Sequence, residues 1–280
     1  SSHIEEAITL KIVGLLTRPD FKSGILFAQQ IITYLETKKH TVVIPPHLAK
    51  TLKRPELGCP IKEMKADMVI TLGGDGTTLY AAQHLPSDIP LLPVNLESFG
   101  FLSECEIQDV EEFLDQVLTG QLAIQETARL GVWLKKNRLP DAANEAALFP
   151  INQGRPTLIT VQLNKTTKFE FRANGFLITT PMGSTGHTLS LGGPILDLHL
   201  DGILLFAVAP LRHSFLPLIV PNTTTIEVKL GRVANLYIDG EYSTKVTENT
   251  PITVKHSESS LRILRRSSRF YTRLQGKLLG

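Results

Sequence analysis

Cysteine is nearly absent: Cys59 and Cys105 are the only two in 280 residues. Their spacing suits no metal site and their number supports no disulfide framework, which fits a reducing cytoplasm. Net charge is scarce as well. With 29 Lys and Arg against 27 Asp and Glu, the formal balance of +2 is too small to make nucleic acid the main partner, and the arginines near the C-terminal end read as a solvated surface. No apolar run approaches a membrane span, and residues 1–6 carry acidic side chains with no basic n-region, so neither membrane association nor a secretory signal is expected. Repeats and low-complexity tracts are missing too. What remains is a 42% hydrophobic, ordinary soluble composition, enough for a substantial core and roughly two domains.

The stretch that organises the chain is 67–84, DMVITLGGDGTTLYAAQH. Residues 68–72 form a short apolar run of the kind a buried parallel strand produces, and it stops at two glycines. Gly73, Gly74 and Gly76 let the backbone turn and lie against a ligand, while Thr77 and Thr78 can cap a following helix. Amides at a helix N-terminus favour an anion, so a phosphate fits there. Asp75 stands out beside such a cradle. A carboxylate repels phosphate unless it accepts a proton, pairs with a metal ion or holds a hydroxyl. The alternative is a tight strand-to-helix turn in which Asp75 caps backbone amides. The glycine spacing is neither GxGxxG nor GxxxxGK[ST], and no lysine follows.

In chain order, 10–16 reads as a first buried strand, 22–38 as a helix with Ile25, Ile31, Ile32 and Leu35 on its apolar side, and 41–44 as a second strand. Residues 45–65, rich in proline and charge, read as a surface connection. A strand over 90–96 and a helix over 109–120 follow, with Val110, Phe113, Leu114, Val117 and Leu118 on one face, Asp109 and Glu112 as a capping box, and Gly120 as the stop. Strands alternating with helices imply a doubly wound, mostly parallel sheet, with ligands at the carboxyl ends of its strands. After Gly120 short alternating segments succeed one another: 129–135, 157–163, 168–172, 175–180, 203–210, 224–230, 235–238 and 252–255. The reading is an α/β domain over 1–120, a β-rich, sandwich-like domain over 121–269, and a helix or tail over 270–280.

Three polar clusters in the second half are odd for a plain sandwich. Asn144-Glu145 places an amide beside a carboxylate, a pair that can grip a ribose or an adenine edge, although taken alone it reads first as a surface turn. In 174–194 a strand ends at Pro181, and Gly183-Ser184-Thr185-Gly186 then exposes hydroxyl and amide donors in a tight turn. Asp239-Gly240 reads by default as a hairpin turn. His84, His199 and His213 read as structural or surface residues.

Together these residues resemble the NAD kinase family. The likeness runs in order through Gly73-Gly74-Asp75-Gly76-Thr77, the 95–104 segment NLESFGFLSE, Asn144-Glu145, the 181–194 segment PMGSTGHTLSLGGP, and Asp239-Gly240. GGDGT is shared with lipid kinases of the diacylglycerol and sphingosine type, whereas TPMGSTGHTLSLGGP is similar to the family's TPTGSTAYSLSAGGP. The resemblance implies phosphoryl transfer from ATP, or from polyphosphate, to the 2′-hydroxyl of the adenosine ribose of NAD. Asp75 is then the base, and Gly74, Gly76 and Thr77 bear on phosphates. Asn144 and Glu145 hold the adenosine, Ser184, Thr185 and Gly186 shape the adenine site, and Asp239 matches an aspartate that approaches a neighbouring subunit's nucleotide in a homodimer or homotetramer. Mg²⁺ or another divalent cation is expected to arrive with the donor, without a metal site owned by the protein.

Two NAD-site positions depart from the pattern. Asn174 stands where the family usually has Asp, and Gly186-His187 where it usually has Ala-Tyr; imidazole stacks on a base with less area than a phenol ring. Two other readings stay open: a lipid kinase, which the lack of an amphipathic membrane-binding stretch disfavours, and a nucleotide-binding relative without turnover.

Overall fold

The computed structural model describes residues 10–96, 100–103, 105–119, 123–152, 154–265, 271 and 274–276. The N-terminal residues 1–9, the Glu104 end of the NLESFGFLSE segment, the Leu118 side chain and the stop at Gly120 lie outside them, and of the helix expected over 270–279 only 271 and 274–276 lie within them. The chain divides into two compact units, one of Ser1–Glu126 with Leu261–Gly280 and one of Thr127–Ser260.

The first unit is built on a parallel sheet. Ile12–Thr17 pairs with Thr41–Val43 on one side and Met68–Gly73 on the other, and Met68–Gly73 pairs in turn with Leu91–Asn95, every pair parallel. Met68–Gly73 is buried at every position, as a continuous apolar run predicts for a strand covered on both faces. The helix Lys22–Thr37 turns Ala28, Ile31, Ile32 and Leu35 onto this sheet and leaves Leu26 in solvent. It ends at Lys39 (φ 66°), where His40 N–H donates to Leu35 O and Lys39 N–H to Glu36 O. That is the Schellman pattern with lysine in place of the usual glycine.

Val110–Leu118 buries Val110, Phe113, Leu114 and Val117. The expected capping box does not form there. Asp109 ends a 3₁₀ turn over Ile107–Asp109 in helical conformation and makes no capping hydrogen bond, while Glu112 accepts from Gln116 Nε2 instead. A cap requires an extended N-cap residue, which the 3₁₀ entry removes. The 45–65 connection also carries order: a short helix over Pro46–Thr51 and two 3₁₀ turns.

The second unit is antiparallel. One sheet orders Leu218–Pro221, Gly202–Val208, Gly175–Thr179, Glu145–Pro150, Ala234–Ile238 and Tyr242–Val246. Thr167–Ala173, Thr157–Leu163 and Ile226–Leu230 form a second layer with the first residues of the long strand Ile252–Arg265. Both layers feed one core, with Ile159, Val161 and Val228 from one and Leu148, Phe176 and Leu236 from the other. Period-2 burial in Thr157–Leu163 and Ala234–Ile238 is the alternation that a half-covered sheet demands. The last residues of Ile252–Arg265 belong to the first unit, where Ile263 pairs in parallel with Leu91. The sequence reading keeps residues up to 269 in the β-rich half, because alternation in one strand says nothing about which sheet receives it.

Candidate active site

In the first unit Met68–Gly73 delivers the glycine-rich turn at its carboxyl end, and the helix Asp75–His84 starts there with Gly74 as its N-cap. Thr77 and Thr78 both turn their amides to Gly74 O, and Thr78 Oγ1 lies 3.0 Å from Thr71 Oγ1, which ties the first helical turn to the strand. The two threonines are nearly sealed from solvent, whereas Asp75 is half-buried and Gly76 exposed. Asp75 does accept backbone amides, from a distant loop. Oδ2 takes Phe101 N–H at 2.9 Å and Oδ1 takes Leu102 N–H at 3.0 Å. Each oxygen keeps a second lone pair for a hydroxyl donor. Gly100 allows this closure, since a Cβ there would lie 2.7 Å from Asp75 Oδ1 and equally close to Ser103 Oγ. Gly100, Phe101 and Leu102 of the motif thus have a local task, which is to clamp the carboxylate.

In the second unit Asn144 precedes the strand Glu145–Pro150, and Asp239 opens the turn after Ala234–Ile238. The hairpin reading holds: Asp239 (φ 52°) and Gly240 (φ 72°) both have positive φ, and Glu241 N–H donates to Ile238 O at 3.0 Å, the primed-turn signature. The Asp239 carboxylate turns into its own chain. It accepts Ala143 N–H at 2.8 Å, Asn144 N–H at 2.7 Å and Glu145 N–H at 3.1 Å, fixing the backbone that carries the amide and carboxyl pair. Asp239 therefore positions Asn144 and Glu145.

Thr180, which the sequence reading passes over, closes the other side. Its hydroxyl donates to Ala143 O at 2.7 Å and accepts Gly183 N–H at 3.0 Å, while its amide donates to Asn144 O. Ser184 and Thr185 are buried, and their hydroxyls donate to Pro181 O and Met182 O within their own turn, so they shape the wall. Gly186 faces the Asn144 amide, and a Cβ there would sit 3.2 Å from Nδ2.

Around this wall, Asn144 Oδ1 and Glu145 Oε2 are buried with no hydrogen-bond partner. Burial pushes the Glu145 carboxyl up to about 8, and the Asp239 carboxylate adds to the shift. Buried polar atoms are normally paired, and orphans of this kind mark places where a ligand completes the network. Both would accept from hydroxyl or amide donors, and Glu145 in its protonated form would also donate.

Asn174 sits elsewhere. The register Thr179↔Glu145 and Phe176↔Leu148 carries it to the far end of the strand pair, about 17 Å from Glu145 at strand rise. Its Oδ1 is buried and unpartnered as well. His187 is exposed, with its ring 5.7 Å from that of Phe149, which stands next to Pro150 at the same far end. Only His187 is thus in ring contact with Phe149, and the strand register places Gly175, the residue after Asn174, opposite that ring.

Gly183 is where two backbones meet. A Cβ there would lie 2.2 Å from Asn144 O, an atom with no freedom to retreat because Thr180 N–H holds it. Gly183→Ala is expected to cost about 2 kcal/mol or more of unfolding free energy, in the range of overpacking plus a lost hydrogen bond. A urea midpoint within error of the parent's would show that the turn relaxes freely.

A glycine-rich turn that opens a helix at the carboxyl end of a parallel sheet is an arrangement of phosphate-handling enzymes. The ATP-NAD kinase N-terminal domain family matches residues 13–122 and the ATP-NAD kinase C-terminal domain family matches residues 143–266. The chain belongs to the NAD kinase family. It is 31% identical over 272 residues to the NAD kinase of Methanothermobacter thermautotrophicus, covering 95% of this chain and 96% of that one. Against the NAD kinase of Thermococcus sibiricus the identity is 30% over 274 residues, covering 95% and 98%. The fold is like that of yeast NADH kinase solved with NADH, at a TM-score of 0.88 and 24% identity over 97% of this chain and 88% of the other. It is also like that of an Archaeoglobus fulgidus NAD kinase solved with ATP, at 0.81 and 23% over 96% and 98%. The activity is accordingly that of an NAD kinase.

Proposed function

We propose that Asp75 takes the proton of the adenosine-ribose 2′-hydroxyl as its oxygen attacks the terminal phosphorus of ATP. The new P–O bond forms as the bond to ADP breaks, the proton passes to the Asp75 carboxylate, and NADP and ADP leave. A ribose hydroxyl is a poor nucleophile, so a positioned base carries this chemistry. Gly74, Gly76 and Thr77 hold the donor phosphates, and Asn144 and Glu145 hold the adenosine within the wall of Ser184, Thr185 and Gly186. His187, which follows Gly186 in that wall, and Asn174 tune how the nucleotide is held. A divalent cation bound to the donor would neutralise phosphate charge. The observation that carries the reading is the pair of buried, unpartnered oxygens on Asn144 and Glu145, which a ribose or an adenine amino group would satisfy.

Polyphosphate as an alternative donor, a cytoplasmic location and a homodimer or homotetramer belong to the same proposal. Assembly is supported by the edge strand Leu218–Pro221, in which Ile219 is 48% exposed and beside which Leu216 is 68% exposed, more apolar surface than an edge leaves open at no cost. Incubation with NAD, Mg²⁺ and either ATP or polyphosphate tests the reading. NADP is expected in step with consumption of the donor. Binding of NAD with no NADP from either donor would favour the non-catalytic alternative, and phosphorylation of a long-chain alcohol alone would favour the lipid kinase.

A further inference from the structure

We propose that Arg18 binds the phosphates of the donor nucleotide, supplying positive charge that the glycine-rich turn lacks. The inference rests on the reading of Gly74, Gly76 and Thr77 as the phosphate-binding turn. Residues 73–78, GGDGTT, contain a carboxylate and no lysine or arginine. A triphosphate brought against Asp75 meets like charge, and helix-terminal amides offset only part of it. A cation from another element would balance the rest.

Arg18 is placed for this by the sheet. Thr17 pairs with Leu72, so Arg18, just past the first strand, and Gly73, the last residue of the second, emerge side by side at the carboxyl edge. The backbone there is fixed: the Thr17 hydroxyl donates to Leu72 O at 2.9 Å, His47 Nε2 lies 3.1 Å from Thr17 O, and Phe21 N–H donates to Arg18 O at 3.1 Å. From this anchor the side chain reaches the first turn of Asp75–His84. Arg18 Nη1 lies 3.7 Å from the point that a Cβ on Gly76 would occupy, and Gly76 itself is exposed. The Gly76 side of the first turn is thus open to solvent and bordered by a guanidinium.

The Arg18 side chain is 49% exposed, and its ion pair with Asp20, which is 81% exposed, is long at 3.8 Å. Exposed pairs of this length are weak. A guanidinium also offers two parallel N–H donors to phosphate oxygens, which an ammonium does not.

The test uses the full chain, with Arg18→Ala and Arg18→Lys. Calorimetry with ATP and with inorganic tripolyphosphate measures donor binding, and steady-state kinetics measures KM for ATP and for NAD. Arg18→Ala is expected to raise Kd for both anions and KM for ATP by about 10- to 100-fold, the effect of losing a charge-assisted hydrogen bond. KM for NAD and the melting temperature should stay near the parent values, and Arg18→Lys should recover part of the loss. Unchanged anion affinity in Arg18→Ala would overturn the inference, as would an equal rise in KM for NAD. A parent that makes NADP while Arg18→Ala binds donor normally would sink this inference alone. A parent that binds tripolyphosphate through Arg18 and makes no NADP would sink the reading of the function instead.

Discussion

Asp75→Asn is expected to lower the rate of NADP formation by about 10²- to 10⁴-fold, the usual effect of losing a general base. Asparagine has nearly the same volume but accepts through one oxygen only. Its Nδ2 would face either Phe101 N–H or Leu102 N–H, both of which now donate to the carboxylate. One amide would lose its partner, at a cost of about 1–3 kcal/mol in that loop. The variant should still fold, and calorimetry should find NAD affinity within a few-fold of the parent, because the amide and carboxyl pair assigned to the adenosine is held separately by Asp239. A kcat within a few-fold of the parent would take Asp75 out of the chemistry and leave it as a clamp for Phe101 and Leu102.

Glu145→Gln should do two opposite things. The carboxyl is pushed from 4.5 up to about 8, chiefly by burial. A folded-state value above the unfolded one contributes stability that is complete below about pH 4.5 and lost as pH rises through about 8, since the unfolded chain ionises freely and the folded chain cannot. At neutral pH this penalty is on the order of 3 kcal/mol. Glutamine has no proton to lose. The variant is expected to match the parent near pH 4.5 and to surpass it in urea near pH 8. NAD affinity should fall about tenfold or more in exchange, because a charged acceptor for ribose hydroxyls is gone. In the parent, NAD binding should tighten between pH 6 and 8 as the hydroxyl donors favour the ionised carboxylate, and in Glu145→Gln it should be flat. Parallel stability and affinity profiles for the two proteins would mean that Glu145 neither titrates in this window nor touches the nucleotide.

The glycine-rich turn was legible because two local signals coincide there: an apolar run without breaks and glycines that end it. Lys22–Thr37 and Thr157–Leu163 were legible for the same reason, a burial period written along one segment. Glu145–Pro150 was not. Alanines at 146 and 147 weaken its strand propensity, and as an interior strand of its sheet it lacks alternation. The task of Asp239 was equally hidden, since its amide partners lie 94 to 96 residues away in the chain and only antiparallel register brings them together. Register also explains why Asn174 and Glu145, two acceptors assigned to one ligand, stand at opposite ends of neighbouring strands. Side-chain chemistry names candidates, and pairing decides which of them meet.

The strand Ile252–Arg265 gives the first unit a history as well as a shape. On a ribosome, residues up to 126 emerge long before 261–265 exist, so Leu91, already paired with Val69, must wait for its second partner through the synthesis of the whole second unit. During that interval the sheet presents open backbone groups on that edge, the condition under which nascent chains mispair or recruit chaperones. Closure then depends on one of the longest loops the chain can draw, which slows the last step of assembly. A release of the chain a few dozen residues early would leave the glycine-rich turn translated in full and the sheet beneath it unfinished.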